Sequence, residues 1–289
     1  MRLDNGRESD NVEDRRGSGG GGGFIGRGSI GIGTIVLALV AAYFGVDPRV
    51  VLDMAGGGGP ASVQAPQGPA QAPPADDAQA RFVSIVLADT EDTWKDIFKT
   101  ANASYVDPKL VLFRGATQTA CGTGQSAMGP FYCPADSKVY LDMSFFQDMQ
   151  TKLNAPGDFA RAYVIAHEVG HHVQNLTGVS AKVSRERQRL SEVEGNRLSV
   201  RVELQADCYA GIWANHANRT RHILEAGDVE SALNAATAIG DDMLQKKSQG
   251  QVVPDAFTHG SSAQRVRWFK RGLESGEPQA CDTFTARQL

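Results

Sequence analysis

The chain is 289 residues long, 41% hydrophobic, and carries a formal net charge of −4. Such a length holds one large domain or two small ones, and the acidic balance excludes a general affinity for nucleic acid. No internal repeat is visible, and the lack of any C-x-x-C pair argues against a cysteine-rich structural zinc.

Residues 1–28 are polar, charged and glycine-rich, with an unbroken run from Gly19 to Gly23. No core can be assembled from that composition, so a disordered tail is expected. Residues 29–46 then run for 18 positions without a charge. This is short for a transmembrane helix, but Phe24 and Ile25 lengthen it if Arg27 snorkels. Arg2, Arg7, Arg15, Arg16 and Arg27 precede the segment, whereas only Arg49 follows it closely. The bias predicts a single pass, with residues 1–28 in the cytoplasm and the remainder outside. Two readings compete with it: a signal peptide cleaved near Val40-Ala41-Ala42, and a buried core helix. Residues 47–79, rich in Gly, Pro, Ala and Gln, read as a linker, and residues 80–289 as one folded domain. Export makes disulfides the preferred state of Cys121, Cys133, Cys208 and Cys281, with buried free thiols as the alternative.

The domain is expected to be α+β and mainly helical. Thr90–Ser104 places Trp94, Ile97, Phe98 and Ala101 at helical spacing, closed by Asp107-Pro108. Lys109–Arg114 reads as a strand and Ala116–Gly129 as a loop. Phe131–Cys133 and Lys138–Asp142 read as strands joined by a turn, and a Cys121–Cys133 bridge would staple the loop to the first of them. Ser144–Leu153 returns to helical periodicity. A long helical stretch follows at Glu186–Asn215, then amphipathic helices at Asp228–Ser248 and Ser262–Gly272. Cys281 could reach Cys208 and lock the C-terminus against the Glu186–Asn215 helix.

The chemistry concentrates in HEVGH, residues His167 to His171. Asp158 suits the N-cap of the helix that carries it, and Gly178 its stop. Residues four apart share a helical face, so His167 and His171 can hold one tetrahedral Zn2+ with Glu168 beside its water. Two satisfied core histidines are the plainer alternative. A third ligand is then needed. The metzincin continuation fails, because Gln174 and Thr177 stand where it requires Gly and His. The next helix offers Glu203 and Asp207, again four apart, among Val202, Leu204, Ala206, Tyr209, Ile212 and Trp213. A carboxylate pair in apolar surroundings is not a solvated face. Glu203 is read as the third ligand and Asp207 as acceptor of a ligand imidazole N–H, with Asp207 as ligand the alternative. Ala206 and Ala210 would let the two helices approach closely.

These motifs resemble the bacterial neutral zinc metallopeptidases, membrane-anchored proteins of gluzincin type. The likeness runs through DNVEDRRG (Asp10–Gly17), FGVDP (Phe44–Pro48), FYCPADSKVYLDMSFF (Phe131–Phe146), YVIAHEVGHHVQNLTG (Tyr163–Gly178), ELQADCYAGIWA (Glu203–Ala214) and HGSSAQRVRWF (His259–Phe269). The resemblance implies a zincin-like fold and a zinc-dependent peptidase with ligands His167, His171 and Glu203. It also implies a single-pass protein of the inner membrane with its catalytic domain on the periplasmic side, acting on a peptide or protein.

In that reading Glu168 is the general base of amide hydrolysis. His259, in a loop before a helix capped by Ser261 or Ser262, and Arg265 on its first turns are the candidates for oxyanion stabilisation. A hydrogen-bonded loop histidine and a structural ion pair are the alternative for these two. Tyr209 and Tyr140 are weaker candidates that read better as core aromatics. His172 points about 100° away from His171 and is not expected to be a ligand. The strand Lys138–Asp142 is expected to offer the edge along which a peptide pairs. A catalytically silent domain that binds envelope peptides, or a metal-binding module without hydrolysis, would not need Glu168.

Overall fold

The computed structural model describes residues 1–3, 6–17, 71–125 and 129–289. The apolar segment 29–46, the glycine run and most of the linker lie outside the described residues. Among the described residues no helix is long and apolar enough to cross a membrane.

A four-stranded sheet lies at one side of a helical body. Its strands are β1 (Val12–Asp14), β2 (Lys109–Phe113), β6 (Lys138–Asp142) and β5 (Phe131–Cys133), in the order β1-β2-β6-β5. β1, β2 and β6 run parallel, and β5 closes the sheet antiparallel to β6. The parallel strands read as apolar runs because both their faces are covered: Leu110, Val111, Leu112, Val139, Tyr140 and Leu141 are all buried. The expected loop at 116–129 instead holds a small hairpin, β3 (Ala116–Thr119) and β4 (Gly122–Gln125). Its Thr- and Gly-rich strands carry almost no apolar alternation, so periodicity could not show them.

The helices are α1 (Ala78–Thr100), α2 (Ser144–Thr151), α3 (Asp158–Leu176), α4 (Val179–Arg187), α5 (Glu192–Arg221), α6 (Asp228–Ala238), α7 (Asp241–Gln249) and α8 (Ser262–Ser275). The helix expected at Thr90–Ser104 begins twelve residues earlier, where Asp77 caps it by accepting from the backbone of Gln79 and Ala80. The expected Glu186–Asn215 helix is two: the break before α5 is a capping box of Ser191 and Glu194. The Asp228–Ser248 helix also divides, at Gly240, where an added Cβ would meet the backbone nitrogen of Ser262 at 2.5 Å.

Residues 1–16 are not a disordered tail. They belong to the same unit as the body. Val12, Glu13 and Asp14 pair in register with Leu110, Val111 and Leu112. Composition misled because β1 has a single apolar residue and its other contacts are polar. The middle of α1 buries Ser84, Asp89, Thr90, Glu91 and Thr93, an unlikely core for a helix until its partners are seen. Ser9 hydrogen-bonds Ser84 through backbone and side chain, and Glu91 accepts from Ser9 Oγ, Asn11 Nδ2 and Arg7 Nη2. Buried Glu13 is met by Lys138 at 2.8 Å and Arg15 at 3.0 Å. The folded domain therefore includes the first sixteen residues.

The two disulfides join Cys121 to Cys133 and Cys208 to Cys281, as expected, and no cysteine is free. The N-terminal segment makes a direct prediction. Val12→Asp places an unpaired charge at a buried strand position and should cost about 3 kcal/mol. Thermal denaturation should show a Tm lower by roughly 6–12 °C in a domain of this size; an unchanged Tm would return residues 1–16 to the status of a tail.

Candidate metal centre

α3 starts at Asp158, with Gly157 rather than Asp158 as its N-cap, and ends before Gly178, whose φ of +80° stops it. It is buried for most of its length, so its periodicity is that of a core helix. α5 crosses it closely. A Cβ on Gly170 would stand 3.0–3.3 Å from the O, Cα and Cβ of Ala206, so the small residue on each side sets the separation of the two helices. That contact lies between HEVGH and the acidic pair and brings their functional faces together.

The third donor is Glu203. His167 Nε2 stands 3.3 Å from Glu203 Oε2, and His171 Nε2 stands 3.4 Å from Glu203 Oε1. The donor atoms of these three residues lie within 4.8 Å of one another, a group able to hold one metal ion. Two imidazole nitrogens and a carboxylate oxygen form the donor set that suits a catalytic zinc.

Each ligand imidazole is oriented from behind. His167 Nδ1 lies 2.8 Å from Asp207 Oδ1, so its N–H is directed at the carboxylate and Nε2 faces Glu203. Asp207 is fully buried. It also accepts from the Tyr163 hydroxyl and, through Nε and Nη2 at 2.9 Å each, from Arg265. Burial would raise the Asp207 pKa, but the charges of Arg265 and His167 reverse this and hold it at about 2. His171 Nδ1 has a different partner, the amide oxygen of Gln174 at 2.8 Å. The Gln174 amide nitrogen donates to Val202 O and Gln205 Oε1, and Gln205 in turn donates to Cys281 O. The orientation of Gln174 is thereby fixed.

Glu168 is buried, and burial raises its pKa against the lowering influence of His167 and His171. It follows His167 directly on α3, which keeps its carboxylate near the donors without making it one. His259 stands in the loop before α8. Asp241 Oδ2 accepts from the backbone nitrogens of Thr258, His259 and Gly260, and Asp241 Oδ1 lies 3.2 Å from His259 Nδ1. The imidazole is half-exposed. Burial lowers its pKa, but the Asp241 hydrogen bond and the charge of Glu203 outweigh this and raise it.

Arg265 departs from expectation. Only 3% of it is exposed, and its guanidinium is taken up by Asp207, Tyr163 and the Ile239 carbonyl. It meets the site through Asp207, as the structural ion pair that was the alternative reading. α8 sets it there by a backbone crossing with α5, where a Cβ on Gly211 or Gly272 would collide with the opposite main chain. Tyr140 and Tyr209 are core aromatics; Tyr140 donates to Asp136, and Tyr209 packs on Trp94. His172 lies between Tyr132 OH and the Val106 carbonyl and is no ligand. Four contributors were missed by sequence reasoning: Tyr163, Gln174, Gly170 and Asp241. Tyr163 and Gln174 had a signal, standing four before His167 and three after His171 on the same helical face.

A mainly helical α+β domain with this donor set is that of a zinc-binding protein. The chain belongs to the family described as "Putative neutral zinc metallopeptidase", which is matched over residues 1–284. His167, His171 and Glu203 form the group that could hold its zinc. It is 54% identical over 290 residues to "Uncharacterized protein YpfJ" of Escherichia coli, covering 98% of this chain and 99% of that one. It is 42% identical over 219 residues to "Uncharacterized protein Rv2575" of Mycobacterium tuberculosis, covering 72% and 73% respectively. No solved structure matches.

Two outcomes are expected. Gln174→Ala should keep the fold and lower zinc affinity about tenfold in chelator competition, the low end for loss of a ligand's hydrogen-bond partner. Without metal, burial disfavours protonated His167, but Asp207 and Glu203 more than compensate and push its pKa up to about 10; His171 also rises. At neutral pH His167 holds a proton that zinc must displace, and the upward shift of His171 acts in the same sense, so acidification should weaken binding. Calorimetry in buffers of different ionisation enthalpy should record proton release on zinc uptake.

Proposed function

We propose that this chain is a zinc-dependent peptidase, in which Glu168 acts as general base for hydrolysis of a peptide bond. The observation that carries this reading is the buried carboxylate of Glu168 beside a three-donor set whose imidazoles are oriented from behind. Bound zinc supplies Lewis acidity, which polarises a carbonyl and makes water acidic enough to lose a proton near neutral pH.

Glu168 accepts the water proton and later delivers it to the amine nitrogen as the C–N bond breaks. Its raised pKa suits both tasks, because a carboxylate that is too acidic holds no proton to return. His259 is the candidate to donate to the oxygen that gains charge, with Asp241 holding Nδ1 so that Nε2 is the free donor. The substrate strand is assigned to β5, not to β6. β6 is paired on both sides, by β2 and β5, whereas β5 stands at the edge of the sheet. β5 is tied to the metal helix through Tyr132 OH, which contacts His172 Nδ1 and Asn175 Nδ2 at 3.0 Å each. An extended peptide added there would run alongside α3. The two disulfides support an oxidising, extracytoplasmic place of work.

Glu168→Gln should leave zinc content and Tm unchanged and abolish hydrolysis of a mixed peptide pool. Persistent, chelator-sensitive cleavage by that variant would sink the mechanism, and no cleavage by zinc-loaded wild type would favour a silent binding domain. His259→Ala should lower kcat about 10²–10³-fold with little change in zinc affinity, the usual cost of one oxyanion donor.

A further inference from the structure

The helices that supply the zinc donors, α3 and α5, are joined by a segment that neither the core nor the metal centre explains. α4 has nine residues, of which only Val183 is buried. Backbone hydrogen bonds from Arg189 to Glu186 O and from Leu190 to Arg187 O continue its turn up to the capping box of α5. Arg187 lies over α5, where an added Cβ on Gly195 would stand 3.6 Å from its Nε. The other long side chains of the segment face solvent, and even Leu190 keeps 39% of its surface exposed. A helix that buries one side chain adds little to the core.

The charge of this segment is opposite to that of the chain. Lys182, Arg185, Arg187 and Arg189 stand between Val179 and Ser191 against a single acid, Glu186, in a chain of net charge −4. Lys182, Arg185 and Arg189 follow helical spacing and share one face. Together with Glu186 and Leu190 they line a groove of about 490 Å³. Glu186 lies 4.0 Å from Lys182, at the limit of an ion pair. Arg185 and Arg189 have no carboxylate partner among the described residues. Like charges one turn apart repel, and one carboxylate cannot offset three cations. An anionic chain laid in the groove would remove that repulsion.

The groove also lies within reach of the metal donors. α3 continues five residues beyond His171, a rise of about 8 Å, before the chain turns into α4. From Glu192, at the start of α5, the rise to Glu203 is about 16 Å. An extended peptide covers such an interval in about three to five residues.

We propose that the α4 groove is a docking site for an acidic, extended stretch of the polypeptide substrate, about three to five residues from the bond that is cut. Its place in the reaction rests on the peptidase reading; the binding itself does not. Arg185 and Arg189 pair with Asp or Glu side chains, Lys182 adds a third cation, and Leu190 accepts an apolar neighbour. The substrate class is thereby narrowed to peptides that are acidic beside the cleavage point.

The test uses the full-length, zinc-loaded chain and a short fluorescein-labelled peptide of Glu, Ala and Leu, with a second peptide carrying Gln in place of Glu. Anisotropy titration should show binding of the Glu peptide that weakens with added salt, and weaker binding of the Gln peptide. Arg185→Glu with Arg189→Glu should raise the Kd of the Glu peptide about tenfold at unchanged Tm and zinc content. In a mixed peptide pool the same double variant should lose about tenfold in kcat/KM for peptides with Asp or Glu near the cut, and nothing for neutral ones. Equal Kd values for the two peptides, or for wild type and variant, would overturn the proposal, as would wild-type cleavage of acidic and neutral peptides alike. A variant that no longer sediments with phosphatidylglycerol vesicles but keeps its affinity for the Glu peptide would assign the face to lipid and overturn it too. If wild type cleaves nothing while the titration behaves as expected, the peptidase reading falls and the groove stands as a site for acidic peptide.

Discussion

The carboxylate of Asp207 is the point on which the centre depends. A fully buried anion is tolerable only if donors surround it, and here Arg265, Tyr163 and His167 all converge on its two oxygens. Three helices are thereby committed to one geometry: α3 brings Tyr163 and His167, α5 brings Asp207 itself, and α8 brings Arg265. Because the guanidinium neutralises the carboxylate, the His167 N–H is oriented without a surplus of negative charge behind the metal. The zinc donors are placed by helix packing, and the packing is enforced by a charge that must not be left alone.

The two ligand histidines are supported differently, and this divides the site into two halves. His167 leans on an ion pair that reaches α8. His171 leans on an amide relay through Gln174 and Gln205 to the Cys281 carbonyl, beside the Cys208–Cys281 bridge. Both routes end in the last quarter of the chain. The C-terminal segment thus forms the back wall of a site whose ligands are all supplied by earlier helices.

Much of this was legible in the sequence. HEVGH and ELQAD stand out because four-residue spacing on a helix places polar groups on one face within apolar surroundings. The strands at 131–133 and 138–142 and the Cys121–Cys133 bridge were also readable, since turn chemistry and a short cysteine spacing are local, and four cysteines then leave Cys208 to Cys281. What escaped was non-local. β1 carries one apolar residue, and its pairing is set by a strand nearly a hundred positions away. The middle of α1 mixes apolar residues with buried Ser, Thr, Asp and Glu, and that mixture makes sense only with the N-terminal segment laid over it. Arg265 was found with two roles open, oxyanion donor and structural ion pair, because a sequence does not say whether a guanidinium faces the cleft or the wall.

The position of β1 in the sheet also bears on how the chain is made. The strand leaves the ribosome some ninety residues before its partner β2, with the apolar run between them. During that interval the N-terminal segment has no sheet to join, and contacts so distant in sequence form slowly. The uncharged stretch is therefore presented to whatever binds nascent apolar chain before any fold exists to compete. Closure of the sheet must wait until β2 has been made, so the strand made first is not the first to be placed.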